Sequence, residues 1–249
     1  MNSEQYSKMW SVPFRIGAYD FFIPFNFDQS LKATFDALAP APSEHVLDVG
    51  CGSGRSLLHA RDWLRQGGRL TGIDIAEGGL AFAQRRAASL GVESQVTLVQ
   101  GDMRELATTL QSSFDAAMVH FAIYTLSSEA DRRVTIEQIA RVLRPGGRLA
   151  ITVPSEGYRA RPLIEDARVR ERNRDDISTP TRWFRQWVLY SIMEVATRRH
   201  VESKLDLDIF HRYSRAELED HLRSAGFEDI RIEQRHGVES YRAMAVRAS

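Results

Sequence analysis

Cysteine is all but missing from this chain. Cys51 stands alone, so no internal disulfide can form and no cysteine-rich metal site can be assembled, in keeping with a reducing compartment. An excess of charge of either sign is missing too. Lys plus Arg and Asp plus Glu both total 33, and without a net field nothing draws the whole chain toward nucleic acid or an anionic surface. No uninterrupted apolar run approaches the ~18 residues of a membrane span, and Met1 to Trp10 is polar, without the apolar core of a signal peptide. The expectation is a cytoplasmic protein with no nucleic-acid and no membrane partner. Lysine itself is scarce, three against thirty arginines, which is a codon-usage association with GC-rich bacterial genomes rather than a physical constraint. No internal repeat or low-complexity tract is found, and no ligand spacing points to a metal.

What remains is a globular composition, 43% hydrophobic and 27% charged over 249 residues, sufficient for one sizeable core. The first forty residues carry "YDFFIPFNFDQS", too crowded with phenylalanine and proline for one clean helix or strand. From His45 onward apolar runs alternate with helical stretches. "HVLDVG" is followed by a helix from Ser53 to Gln66, "GRLTGIDI" by a helix from Glu77 to Leu90, and "SQVTLVQ" leads to "FDAAMVHF". A helix from Glu129 to Arg144, closed by Pro145, Gly146 and Gly147, then precedes "GRLAITV". Such alternation predicts a parallel sheet with helices on both faces. Val134, Ile136, Ile139, Ala140, Val142 and Leu143 mark the inward side of that last helix.

Between Pro154 and Phe210 the alternation breaks into two helical candidates. One runs from Pro162 to Arg174; in the other, Trp183, Phe184, Trp187, Val188, Ile192 and Val195 recur at helical spacing. Regularity returns with a helix from Ser214 to Ala225, stopped by Gly226, and two strand candidates, "FEDIRIEQ" and "YRAMAVRA".

The densest signal is "VLDVGCGSGRS", Val46 to Ser56. Its glycines sit where a strand hands over to a helix, where amide donors are unsatisfied and a ligand can approach bare backbone. A dinucleotide fingerprint needs a third glycine at position 55, which is Arg55, and no Gly-Lys-Ser/Thr follows to make a P-loop. Gly50, Gly52 and Gly54 form Gly-x-Gly-x-Gly instead, with Asp48 in the preceding strand.

With "GIDI", "QGDM", "FDAAMVHFAIYTL" and "LRPGGRLAI" following in order, the chain resembles the class I S-adenosylmethionine-dependent methyltransferases, closely from Val46 to Val153 and weakly over the last forty residues. The resemblance implies a Rossmann-like, doubly wound seven-stranded sheet, mostly parallel, with a helical cap. The cap would comprise residues 1–43 and an insertion at 155–210, and the core residues 44–154 and 211–249. The cofactor implied is S-adenosylmethionine, leaving as S-adenosylhomocysteine. The glycine turn, Cys51 included, would lie against its methionine end with Asp48. Asp74, with Ile75, would take the ribose hydroxyls, while Asp102 and Met103 would hold the adenine. Asp74 lies 24 residues after Gly50, near the ~20-residue interval at which a second-strand acid meets a ribose. Plain structural roles compete: Asp74 and Asp102 as helix caps, and Cys51 as a small residue in a crowded turn.

Catalysis of the implied kind rests mainly on alignment. His120, ending the fourth strand, is the first candidate for a general base and for cofactor contact, and Tyr124 for positioning. His211 and Tyr213 are weaker candidates for the base. Tyr19, Phe22, Tyr124, Trp183, Trp187 and His211 are the candidate substrate-binding residues, although the aromatic helix face equally suits the core or a dimer interface. From Ser155 to Asp176 six arginines meet six acids, an ion-paired helix face rather than a nucleic-acid patch. The expected activity is methyl transfer to a small, partly apolar or aromatic metabolite by a monomer or homodimer. A protein or RNA methyltransferase of the same fold, and a silent cofactor-binding module, are the alternatives.

Overall fold

The computed structural model describes residues 23–110, 113–172, 178–235 and 239–248. Its frame is one seven-stranded sheet of order β3-β2-β1-β4-β5-β7-β6. The strands are β1 (His45–Val49), β2 (Arg69–Asp74), β3 (Val96–Gln100), β4 (Phe114–His120), β5 (Leu143–Pro154), β6 (Phe227–Arg235) and β7 (Ser240–Arg247). The first five run parallel, and β7 pairs antiparallel with both β5 and β6. The chain reverses its direction of winding between β1 and β4, and there the carboxyl ends of parallel strands splay to leave a crevice for ligands.

Alternation along β1 serves both faces of the sheet. Leu47 and Val49 join a core with β4, β5 and the helices α4 (Glu129–Val142) and α7 (Arg215–Ser224). Val46 packs on the other face with α1 (Phe25–Leu38) and α2 (Leu57–Arg65), through Leu31, Phe35, Leu57 and Trp63. The third helix, α3 (Glu77–Leu90), follows β2.

The expected helices stand with shifted ends. The first residues of the expected Ser53–Gln66 helix remain in the glycine turn, so α2 begins at Leu57. α4 stops at Val142 and its Pro-Gly-Gly sequel is absorbed into β5 as an irregularity, where the register jumps from Leu143 to Arg148 against Phe114 and Ala116. Val134, assigned inward from its spacing, is 39% exposed; the buried positions of α4 are Arg132, Thr135, Ile136, Ile139, Ala140 and Val142. The difference comes from Arg132, which turns inward to donate to the carbonyls of Leu126 and Ser127.

The insertion holds α5 (Ala160–Arg172) and a long helix α6 over residues 179–206, in which α-turns alternate with π-turns at Arg185–Leu189 and Arg198–Glu202. Leu163, Ile164 and Ala167 of α5 pack against Leu189, Tyr190 and Met193 of α6, with Phe121 beneath them.

α1 belongs to the core through a buried polar contact as well as apolar packing. The Thr34 hydroxyl donates to the carbonyl of Ser30, so the 2.8 Å contact between Thr34 Oγ1 and Thr152 Oγ1 must be donated by Thr152 of β5. Thr34→Val strands that hydroxyl and is expected to cost about 1 to 3 kcal/mol in urea denaturation. Thr34→Val/Thr152→Val, which removes both partners, should cost less than the single change.

Candidate cofactor and acceptor site

The glycine turn closes onto β2. The amides of Gly50 and Cys51 both donate to the carbonyl of Ile73, and that of Gly52 donates to Asp74 Oδ2 at 2.8 Å. All three glycines have positive φ, and two are also needed for space. A Cβ at Gly50 would lie 2.4 Å from the Cβ of Ala122 in the loop after β4, and one at Gly54 would lie 2.7 Å from that of Ala83 in α3. At Gly52 a Cβ would meet nothing within 4 Å among the described residues. Bare backbone there faces open space at the crevice, which is the cradle a nucleotide-type cofactor requires.

Two acids flank the turn. Asp48 is 3% exposed, and Ser56 Oγ donates to its Oδ2 at 2.5 Å. Burial, opposed by the Ser56 bond and reinforced by the charge of Asp74, pushes its carboxyl up to about 6. Burial raises Asp74 as well, against hydrogen bonds from the amides of Ala76, Gly52 and Ile75. Asp74 thus bonds the amide of Ala76, the residue that precedes α3, without capping the first turn of that helix, and ties down the glycine turn besides. Those three amide bonds take three of the four acceptor sites of the two carboxylate oxygens and leave one, which a ribose hydroxyl can donate to. Cys51 is buried with its Sγ against Gly72, and burial followed by the charges of Asp48 and Asp74 drives its thiol well up. It is a packing residue, not a nucleophile.

Asp102 caps the short turn that follows it. Its Oδ1 accepts from the Arg104 amide at 2.9 Å, and the Arg104 guanidinium bonds both of its oxygens while reaching Asp131. Met103 leans on the core beside it, and Ile75 stands half-buried at the end of β2.

His120 ends β4 at this same edge. Its Nε2 lies 3.3 Å from Ser30 Oγ, and its ring meets those of Phe27 and Phe121, each at 4.9 Å. Burial pushes the imidazole down to about 3, so it is neutral throughout the physiological range. A group this weakly basic is suited to positioning more than to taking up a hydroxyl proton. Phe121 follows with φ 49°, a conformation costing a bulky residue about 1 to 2 kcal/mol. It is held there by Phe27, Tyr124 and Tyr158, whose ring centroids lie 4.9, 6.0 and 6.2 Å away.

Tyr124 is buried against Phe210 at 5.1 Å, and its carbonyl accepts from the amide of His211 at 2.8 Å. His211 Nε2 lies 2.8 Å from both oxygens of Glu217. Burial acts to raise Glu217, but the His211 hydrogen bond and the charges of His211, Arg132 and His221 outweigh it and hold the carboxyl below its ordinary range. Tyr213, fully buried with its hydroxyl pushed far up by burial, is unsuited to proton transfer.

The aromatic helix turns the opposite way from expectation. Trp183 and Trp187 are 62% and 64% exposed, while the face toward Phe121 is Gln186, Leu189, Tyr190 and Met193. Of the predicted substrate residues, Tyr124 and His211 come together, the two tryptophans do not join them, and Tyr19 and Phe22 lie outside the described residues. Sequence reasoning also missed Asp28, which accepts from Arg55 Nε at 2.7 Å and lies 3.3 Å from His59 Nε2, pinning α1 over the turn. The only available sign was Arg55 itself, standing where a third glycine would be.

A sheet whose parallel strands reverse at β1, a glycine turn at that switch point and an acid at the end of β2 make the kind of crevice in which open α/β sheets bind ligands. Residues 46–147 match the family described as "Methyltransferase domain". Over 114 residues, 46% of this chain and 41% of the relative, it is 37% identical to an O-methyltransferase of Aspergillus sclerotiorum. It is 34% identical over 117 residues to a demethylmenaquinone methyltransferase of Symbiobacterium thermophilum, covering 47% and 45% of the two chains. A 27-O-demethylrifamycin SV methyltransferase of Amycolatopsis mediterranei is 38% identical over 111 residues, 43% of this chain and 38% of that one. The matched stretch is thus less than half of each relative. In fold, the chain resembles an S-adenosylmethionine-dependent methyltransferase of Aquifex aeolicus, with TM-score 0.59, 18% identity and 94% and 98% of the two chains covered. It also resembles phosphoethanolamine N-methyltransferase 2 of Haemonchus contortus, with TM-score 0.63, 15% identity and coverage of 96% and 58%.

Because its folded-state value of about 6 lies above the ordinary 3.8, Asp48 binds its proton more tightly in the folded chain. Its contribution is complete below 3.8 and is lost as the pH rises through about 6, a change of up to about 3 kcal/mol. Urea titrations of the ligand-free protein should show this decline, and Asp48→Asn should flatten it.

Proposed function

We propose that this chain transfers a methyl group from S-adenosylmethionine to a small, partly apolar or aromatic metabolite. The observation carrying the proposal is the open backbone at Gly52 between two buried acids. Bound S-adenosylmethionine supplies an electrophilic methyl group on a sulfonium centre. In this reading the amides of the glycine turn and Asp48 hold its methionine end, Asp74 with Ile75 the ribose, and Asp102 with Met103 the adenine. Residues 44–154 and 211–249 together with α1 form the binding core, with the rest of 1–43 and 155–210 as the cap. The O-methyltransferases and the rifamycin enzyme among the relatives support a small acceptor.

Alignment of acceptor and methyl group supplies roughly 7 to 11 kcal/mol in reactions of this type. Neutral His120 and buried Tyr124 position the acceptor, and His120 also borders the cofactor. The acceptor proton passes to His211, whose ring is held by Nε2 at 2.8 Å from both oxygens of Glu217. His211→Gln is expected to lower kcat about 10²- to 10⁴-fold with cofactor affinity unchanged. His120→Gln should act mainly on KM; equal kcat losses with unaltered pH profiles in both variants would overturn the assignment.

Calorimetric titration tests the cofactor. S-adenosylmethionine and S-adenosylhomocysteine should bind and NAD should not; failure of both sulfur nucleotides removes the basis of the proposal. The sulfonium adds a positive charge that the thioether lacks. Affinity for S-adenosylmethionine should therefore fall as the pH is lowered through about 6, where Asp48 takes up its proton, and affinity for S-adenosylhomocysteine should fall less.

A further inference from the structure

The long helix α6 is apolar on two sides. One side, Leu189, Tyr190 and Met193, is buried on α5. The other presents Trp183, Phe184, Trp187, Val188, Ile192 and Val195, between 36% and 64% exposed. A helix apolar all round calls for a second apolar neighbour, and a contiguous exposed patch of this kind marks an interaction surface.

Charge decides which neighbour. Over α6, residues 179–206, Arg182, Arg185, Arg198, Arg199 and Lys204 stand against Glu194, Glu202 and Asp206; of these acids Glu202 accepts from the Ala160 amide and Asp206 pairs with Arg212. Glu194 acts on Arg161 of α5, and Arg185 is bound to buried Glu171. Arg198 and Arg199 are exposed at the end of the apolar strip. A second copy seated antiparallel on this face would bring Arg182 against Arg198 and Arg199, and a parallel one would set that arginine pair against itself. Like charges so juxtaposed oppose self-pairing. A bilayer with anionic lipid meets both requirements, since its headgroup boundary accepts tryptophan and aliphatic side chains while its phosphates attract the arginines.

We propose that the outer face of α6 docks the protein on the surface of an anionic membrane, lying in the interface without crossing it. Among the described residues no helix is long and apolar enough to cross a membrane. The inference reverses the expectation of no membrane partner, which rested on the neutral charge of the whole chain and could not register a local excess. It stands independently of the acceptor and cofactor assignments, because nothing in it uses the crevice.

Flotation of the full chain with vesicles tests it. The protein should float with vesicles of phosphatidylcholine and phosphatidylglycerol, less with phosphatidylcholine alone, and less again at high salt. Trp183→Ala/Trp187→Ala should abolish flotation on both. Arg198→Gln/Arg199→Gln should weaken binding to the anionic vesicles about 10- to 30-fold and leave the neutral ones little changed. Circular dichroism and S-adenosylmethionine titration should be unaltered in both variants. Absence of flotation on anionic vesicles would overturn the proposal, as would a dimer of the unaltered protein that Trp183→Ala/Trp187→Ala converts to monomer.

Discussion

The amide of Gly52 donating to Asp74 is the contact on which the site depends. It joins the turn after β1 to the end of β2, and it does so with a carboxylate that burial has made costly to ionise. Two further amides of the same turn reach Ile73, so the cradle is built from strand ends rather than from a free loop. Gly50 then lets Ala122 approach, and Ala122 adjoins the strained Phe121 and His120. The glycine turn and the end of β4 are thereby joined by one set of contacts.

A second consequence is electrostatic. Asp48 and Asp74 raise one another's cost of ionisation in the ligand-free protein.

The histidines divide the acceptor edge between two environments. His120 sits among rings with a hydroxyl as its polar neighbour and remains neutral. His211 sits on a carboxylate and shares a backbone bond with Tyr124. Residue type is the same and surroundings differ: desolvation disfavours charge on His120, while His211 is hydrogen-bonded to a carboxylate.

Strand alternation, the Gly-x-Gly-x-Gly turn and the acids at strand ends were legible because they are local: a period, a spacing and a backbone conformation are properties of neighbouring residues. Local patterning by itself therefore determined the parallel order of β1 to β5, the place of the crevice and the residues around the turn. It could not determine which side of α6 faces inward, since both sides are apolar and only packing against Leu163, Ile164 and Phe121 chooses between them. Nor could it pair Asp28 with Arg55, or His211 with Glu217. The first pair is 27 residues apart, and in the second the six-residue spacing says nothing of a contact that a loop and a helix cap create. Tertiary structure alone settled these, because desolvation and side-chain pairing depend on what surrounds a residue in space.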